Sequence, residues 1–132
     1  MATMLAHIKI KAGAEEKWEA LIADLVDKTL ANEPDVVRYE YWKGTEPNVW
    51  YGLLSFASKN AFFVHQDADY HRNQPYGDCI EDMRLEFVDP VSNASPLPRT
   101  EDPALPDDAP DNIREWENQT PVQLADWWQG RK

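Results

Sequence analysis

Three histidines are the side chains of this sequence best suited to move a proton near neutral pH. An unperturbed imidazole titrates at about 6.5, so it can act as a base or as an acid in this range. His65 and His71 lie near the middle of the chain, and His7 lies near its start. Each also has a structural interpretation: His65 as a helix residue with local hydrogen bonds, His71 as a surface residue, and His7 as a surface or interface residue. The residue types alone leave both interpretations open.

A metal site built from the three histidines is chemically sensible, because three protein ligands leave one coordination position open. The spacing argues against such a site. On a continuous helix His65 and His71 would lie about 600° apart, on different faces. His7 is also remote from both in sequence. We therefore expect no metal ion.

Aromatic side chains could line a pocket for a flat ring, since such pockets combine apolar walls with a few polar groups. The candidates for substrate contact are Tyr39, Tyr41, Trp50, Phe62 and Tyr70. The alternative is an ordinary hydrophobic core, which is the more frequent role of such residues. Tyr39 and Tyr41 are two residues apart in a strand-like run, so we expect them to share one face.

Composition and charge restrict the class of partner. The chain has 132 residues, with 24 acidic against 13 basic side chains and a formal net charge of −11. This charge disfavours nucleic acid and anionic membranes, which bind clustered Lys and Arg. No apolar run approaches the roughly 20 residues of a membrane span, and the N-terminus has no signal-peptide pattern. We therefore expect a cytoplasmic protein, in which the single cysteine, Cys79, excludes an intramolecular disulfide.

Hydrophobic periodicity predicts one folded domain over residues 1–91. Its elements are a strand from Met4 to Lys11, a helix from about Ala14 to Asn32, strands from Val36 to Lys43 and from Val49 to Phe56, a helix that begins near Lys59 after the N-cap Ser58, and a strand from about Ile80 to Val88. The order β-α-β-β-α-β indicates an α+β, ferredoxin-like fold, in which four antiparallel strands carry both helices on one face. His65 then lies on the apolar face of the second helix.

The sheet face opposite the helices also needs cover. Both alternating sets of residues on the two middle strands contain aromatic side chains, which indicates that both faces are buried. A second subunit is the economical cover for a sheet whose helices lie on one side. We therefore expect a homodimer through the sheet face; the alternative is a C-terminal segment that folds back over its own sheet.

Residues 92–132 form a C-terminal extension in this interpretation. Seven of the ten prolines lie from Pro90 onward, which favours an extended strap. Thr120 as N-cap and Pro121 as first helical residue predict a short terminal helix that ends at Gly130. Tryptophans are costly to expose, so we expect the extension to dock on its own body, on the partner subunit or on another protein. It contains Trp116, Trp127 and Trp128.

The predicted domain resembles the antibiotic biosynthesis monooxygenase family, within the dimeric α+β barrel superfamily. The resemblance covers about Met4 to Val91 and rests on the element order, on Ala12-Gly13 after the first strand, and on the stretch from Ser55 to His71. Family members often show an aromatic residue at the end of the third strand, then a serine, an alanine beside an aromatic residue, and two histidines. Here these residues are Phe56, Ser58, Ala61, Phe62, His65 and His71.

The resemblance implies a cofactor-independent monooxygenase that acts on a quinol or on a phenolic, polyketide-like aromatic compound. It implies His65 as the catalytic base, with His71 or a tyrosine orienting the substrate, and no cofactor. Leu54 and Phe56 stand where members frequently carry Glu and Trp. This departure keeps two alternatives open: a non-catalytic ligand-binding or regulatory dimer, or an isomerase-type relative, with the extension as an interaction element.

Overall fold

The computed structural model describes residues 1–91 and 94–129. The elements in chain order are β1 (Ala2–Ile10), α1 (Glu15–Asn32), β2 (Val36–Lys43), β3 (Val49–Phe56), α2 (Lys59–Asp67), α3 (Asp69–Arg72), α4 (Tyr76–Cys79), β4 (Ile80–Phe87), α5 (Asp111–Gln119) and α6 (Asp126–Gln129). Within the described ranges, no helix is long and apolar enough to cross a membrane.

Four antiparallel strands form one sheet in the order β2-β3-β1-β4. This topology confirms the predicted α+β, ferredoxin-like fold. The predicted bounds of β2 and β3 are confirmed, whereas β1 begins at Ala2, two residues before the predicted start. Ile8 pairs with Trp50 on β3 and with Met83 on β4, so β1 is a central strand with a partner on each side.

Helix α1 covers the inner face of the sheet with one apolar stripe. Trp18, Leu21 and Leu25 are buried at the spacing that a helix face requires. Leu30, which the same periodicity assigns to this stripe, is 57% exposed. Thr29 is buried in its place, because it follows Leu25 by four residues and so lies directly below it.

Helix α2 begins where the sequence predicts. The hydroxyl of Ser58 accepts a hydrogen bond from the backbone N–H of Ala61 at 3.1 Å, the geometry of an N-cap. The helix ends at Asp67, and Ala68 is extended, with φ −61° and ψ 136°. The chain therefore changes direction between His65 and His71.

The described part of the C-terminal extension packs on its own body. Ile113 of α5 joins the buried core beside Phe63 of α2. Lys59, also on α2, lies 2.5 Å from a carboxylate oxygen of Asp102 and 2.5 Å from one of Glu117. These contacts favour the alternative in which the extension folds back on its own subunit.

The predicted start of the terminal helix is wrong. Thr120 is the C-cap of α5, and its hydroxyl donates to the backbone carbonyl of Trp116 at 2.9 Å. Pro121 follows in non-helical chain, and α6 begins only at Asp126. Thr120 is used to satisfy a carbonyl at the end of one helix, so it does not cap the start of the next. The predicted stop at Gly130 lies outside the described residues, and the boundary between residues 1–91 and 92–132 stays a prediction.

Candidate functional site

A cavity of about 440 Å³ lies between the inner face of the sheet and the helices. Every element from β1 to β4 contributes to its wall. The lining residues are Ala6, Ile8, Trp18, Tyr39, Tyr41, Leu54, Phe62, His65, Gln66, His71, Tyr76, Gly77, Ile80, Met83 and Leu85. No Asp, Glu, Lys or Arg is among them. The cavity is therefore suited to a small, largely uncharged molecule with a few polar atoms.

The structure brings most of the predicted site residues to this cavity. Five of the seven line it: Tyr39, Tyr41, Phe62, His65 and His71. The other two predicted contacts lie outside the lining. Trp50 is buried in the core, packed with the cluster that contains Trp18. The hydroxyl of Tyr70 instead donates a hydrogen bond to the carboxylate of Glu33, which is also outside the lining.

His65 is the most buried polar group of the site, with 1% of its side chain exposed. Its Nδ1 lies 3.0 Å from Oε2 of Glu33 and 3.2 Å from Oε1. Its Nε2 is buried and has no hydrogen-bond partner among the described residues. The rings of Tyr39 and Phe56 pack against the imidazole, with centroids 4.8 and 5.2 Å away. One nitrogen of His65 is thus anchored by Glu33, while the other has no partner among the described residues.

Glu33 is the site residue that the sequence did not reveal, because it directly follows the predicted end of the first helix at Asn32. It is the C-cap of that helix, and its backbone N–H donates to Thr29. The hydroxyl of Tyr70 donates to Oε2 of Glu33, the same oxygen that faces His65. No local pattern marks this role, since the contact to His65 spans 32 residues.

His65 and His71 lie together, contrary to the expectation for a continuous helix. The break at Ala68 starts the short helix α3 and brings the two rings to a centroid distance of 4.4 Å. Burial, and after it the nearby His65, lowers the pKa of His71 from 6.5 to about 4. His71 is therefore a neutral imidazole at pH 7.

Three tyrosine hydroxyls provide further polar atoms beside the amide of Gln66. Those of Tyr39 and Tyr41 lie 3.2 Å apart, and that of Tyr76 donates to the backbone carbonyl of His71 at 2.7 Å. Burial raises the pKa of each of these three phenols, so all keep their protons at neutral pH. Only one proton of the Tyr39–Tyr41 pair can lie between the two oxygens. The second O–H can donate to a ligand oxygen.

The third histidine is not part of this site. Nε2 of His7 lies 3.0 Å from a carboxylate oxygen of Glu86, on the sheet face away from the helices. In the described part of the chain, no group of three His, Cys, Asp or Glu side chains could hold a metal ion. Two of the three histidines, His65 and His71, therefore line the cavity.

The fold and the cavity define a ferredoxin-like domain with a cavity of about 440 Å³ beside a buried histidine. The family model described as antibiotic biosynthesis monooxygenase matches residues 1–73. That is more than half of the 132 residues, and the chain belongs to this family.

Solved structures with the same fold come from several bacteria. A Caulobacter crescentus CB15 protein, described as a candidate antibiotic biosynthesis monooxygenase, is 26% identical, with a TM-score of 0.64 over 68% of this chain and 89% of that one. A Bacteroides thetaiotaomicron VPI-5482 protein with the same description is 20% identical, with a TM-score of 0.64 over 68% and 89%. A Nitrosomonas europaea protein, also so described, is 9% identical, with a TM-score of 0.63 over 69% and 99%.

The similarity to the Bacteroides thetaiotaomicron and Nitrosomonas europaea proteins shows only a shared fold, because the sequence identities are 20% and 9%. No protein of curated function matches the sequence of this chain. Each of these three structures covers no more than 69% of this chain.

Proposed function

We propose that this protein is a monooxygenase that oxidises an uncharged quinol or phenolic aromatic compound with O₂ and without a cofactor. Membership of the antibiotic biosynthesis monooxygenase family supports the reaction class. The observation that carries the proposal is His65, a buried residue of the cavity lining whose Nε2 has no hydrogen-bond partner in the described chain. A neutral imidazole nitrogen in that setting is a base without a competing donor.

The substrate ring would lie against the aromatic wall, with one hydroxyl at His65. Phe62 and Tyr39 are almost completely buried, so they offer rigid faces to a flat ring. The free O–H of the Tyr39–Tyr41 pair would donate to a second oxygen of the substrate. His71, neutral at pH 7, would orient the substrate by hydrogen bonding rather than by charge. We assign Trp50 and Tyr70 to the support of this wall.

The reaction balances with O₂ as the only co-reactant. His65 takes the proton of a substrate hydroxyl, and the electron-rich anion passes one electron to O₂. The substrate radical and superoxide then combine to form a C–O bond, and the proton on His65 returns to the outer oxygen of the peroxide. The O–O bond breaks as the C–H proton leaves, so the products are a carbonyl group and water. The protein deprotonates, orients and desolvates the substrate.

We propose that the protein acts as a homodimer through the outer face of its sheet. Trp42 is 61% exposed on this face, and Tyr51 lies beside it on β3, also exposed. The extension already covers one end of the face, where Thr3 and Ser55 are buried and Thr100 bonds to the backbone of Thr3. The described extension packs on its own subunit, so we propose a dimer without exchange of this segment. Sedimentation equilibrium of the wild type and Trp42→Glu tests the interface.

The experiment is oxygen uptake by the metal-free protein with hydroquinones, anthrones and catechols, beside the His65→Ala variant. We expect one class of substrate to consume one O₂ per carbonyl formed, and a loss of at least about 100-fold in His65→Ala. His7→Asn is the matched control, since His7 lies on the opposite sheet face. Uptake that survives in His65→Ala would remove His65 as the base.

A ligand-binding dimer without catalysis is the second candidate. Leu54, at a position where family members frequently carry Glu, is an apolar part of the cavity wall. A wall of this kind can hold an aromatic molecule by burial alone. Saturable binding of the same panel, followed by tryptophan fluorescence because Trp18 lines the cavity, with no oxygen uptake from any member would favour this candidate.

A further inference from the structure

The carboxylate of Glu33 is buried behind the cavity wall, with 10% of its side chain exposed. An ionised carboxylate in such a place needs hydrogen-bond donors, because its desolvation is otherwise costly. The donors that surround it are the Nδ1 side of His65 and the hydroxyl of Tyr70. Within the described ranges, it forms no ion pair with a lysine or an arginine. Glu33 therefore interacts with the site itself and not with a separate surface cation.

This arrangement determines where the proton of His65 lies. A carboxylate oxygen can only accept, so the nitrogen that faces it at 3.0 Å carries the hydrogen. In a neutral imidazole the other nitrogen then has a free lone pair. That other nitrogen is Nε2, the buried atom without a partner in the described chain. In the other tautomer the proton is on Nε2, which is then a hydrogen-bond donor. Nδ1 then carries no hydrogen, although it faces the carboxylate of Glu33.

Tyr70 holds the carboxylate in place from a third element. Its hydroxyl donates to Oε2 of Glu33, and burial together with that bond raises the pKa of the phenol, so the donor keeps its proton. Glu33 follows α1, His65 lies on α2 and Tyr70 on α3. The contacts thus join three helices around one carboxylate. The side-chain amide of Gln74, which follows α3, donates to Asp24 of α1 and to the backbone carbonyl of Tyr70, each at 3.0 Å, and so links α3 to α1. Neither oxygen of Glu33 nor the hydroxyl of Tyr70 belongs to a residue of the cavity lining.

We propose that Glu33 and Tyr70 are positioning residues that hold His65 in the Nδ1–H tautomer, so that Nε2 is left as a hydrogen-bond acceptor. They act through His65 and do not touch the substrate. The inference rests on the proposed function only in taking Nε2 as the atom that receives the proton. The tautomer itself is a property of the free protein and can be measured without a substrate.

The first experiment is nitrogen-15 NMR of the histidine rings in the free, full-length protein at pH 7. We expect the Nδ1–H tautomer for His65 in the wild type. Glu33→Leu removes the acceptor, so the Nε2–H tautomer should gain population. Glu33→Gln keeps a carbonyl oxygen and should retain the Nδ1–H form. Glu16→Leu, an exposed position on α1, is the matched control and should leave the His65 signals unchanged. The proposal is overturned if the imidazole of His65 in the wild type carries its proton on Nε2.

The second experiment uses the substrate found by oxygen uptake. For Glu33→Leu we expect kcat to fall about 100-fold with KM changed less than about twofold, as for other residues that orient a histidine without contacting the substrate. Tyr70→Phe keeps the carboxylate and the fold, so it should lose about tenfold in kcat. Glu16→Leu is again the control. Equal kcat in the wild type, Glu33→Leu and Tyr70→Phe would overturn the positioning role.

The two failures can be told apart. If no substrate consumes oxygen while the His65 tautomer depends on Glu33, the proposed function fails and the positioning of the ring stands. If oxygen uptake depends on His65 while the tautomer is unaffected in Glu33→Leu, the function stands and the inference fails. If Glu33→Leu does not fold, the other two variants still test the proposal. Glu33→Gln must retain the Nδ1–H tautomer of His65, and Tyr70→Phe must lose about tenfold in kcat.

Discussion

The indole N–H of Trp116 donates to a carboxylate oxygen of Asp67 at 3.1 Å, which joins α5 to the last residue of α2. The other carboxylate oxygen accepts from the side-chain amide of Asn112 at 2.6 Å. Asp67 follows His65 by two residues, so the C-terminal extension secures the helix that carries the candidate base. A segment outside the matched family region thus stabilises the site.

The ion pairs of Lys59 anchor the first turn of α2 to the extension. Burial disfavours the charge of this lysine, but its hydrogen bonds to Asp102 and Glu117 outweigh the burial, and the pKa of Lys59 is raised. We expect Lys59→Met to lower the free energy of unfolding by about 1–2 kcal/mol, because both carboxylates are partly exposed and regain water. Urea unfolding measures this loss. Lys28→Met, which breaks the exposed pair with Asp24, should change stability by less than about 0.5 kcal/mol.

Ile113 of α5 fills part of the core beside Phe63. We expect Ile113→Ala to cost about 3 kcal/mol, since it removes buried methylene groups and leaves a cavity. The loss should appear in one cooperative transition if the extension and the body unfold together, as a shared core implies. Thermal unfolding followed at the tryptophans and by far-ultraviolet circular dichroism checks both points. Two separated transitions would show that the extension is an independent unit.

Acid should destabilise the fold through His71. Its pKa is lowered from 6.5 to about 4, by burial first and then by His65, so the unfolded chain binds a proton more readily than the folded one between these values. Stability therefore rises with pH through this window and falls on acidification. We expect His71 to account for about 2 kcal/mol of the loss between pH 7 and pH 4.5.

The His71→Asn variant isolates that contribution. Between pH 7 and pH 4.5 the free energy of unfolding of this variant should fall by about 2 kcal/mol less than that of the wild type. The carboxyl groups with lowered pKa, Asp24, Asp78 and Glu86, remain in both proteins and cancel in the comparison. Urea unfolding of the two proteins at pH 7, 5.5 and 4.5 provides the measurement. Parallel curves for wild type and variant would contradict a neutral His71 in the folded state.

The hydroxyl pair of Tyr39 and Tyr41 should act on substrate binding. The Tyr39→Phe/Tyr41→Phe double variant removes both oxygens of the pair and, with them, the O–H left to donate to the ligand, whereas either single variant keeps one free O–H. We expect KM to rise about threefold to tenfold, the value of one neutral hydrogen bond, with kcat less affected. Glu16→Leu, at an exposed position on α1, should leave both constants unchanged. An unaltered KM in the double variant would place the substrate elsewhere in the cavity.

Local pattern was sufficient for the fold of residues 1–91. Alternation in Ala6, Ile8 and Ile10 and the helical stripe of Trp18, Leu21 and Leu25 predict buried faces that the structure confirms. These predictions succeed because burial of a periodic apolar face depends on neighbours within one element. The predictions for Leu30 and for Thr120 failed because both residues lie near a helix end. The role of a residue there depends on what packs against it and on which backbone carbonyl needs a hydrogen-bond donor.

The candidate site, like the fold, was only partly predictable from local sequence patterns. Residue type and family likeness pointed to His65, His71, Tyr39, Tyr41 and Phe62, all of which line one cavity. Only the tertiary structure places Glu33 at His65 and Tyr70 at Glu33 instead of at the cavity, and only the break at Ala68 brings His71 to the ring of His65. Hydrogen bonds between elements far apart in sequence depend on the packing of three helices, and no local pattern encodes that packing.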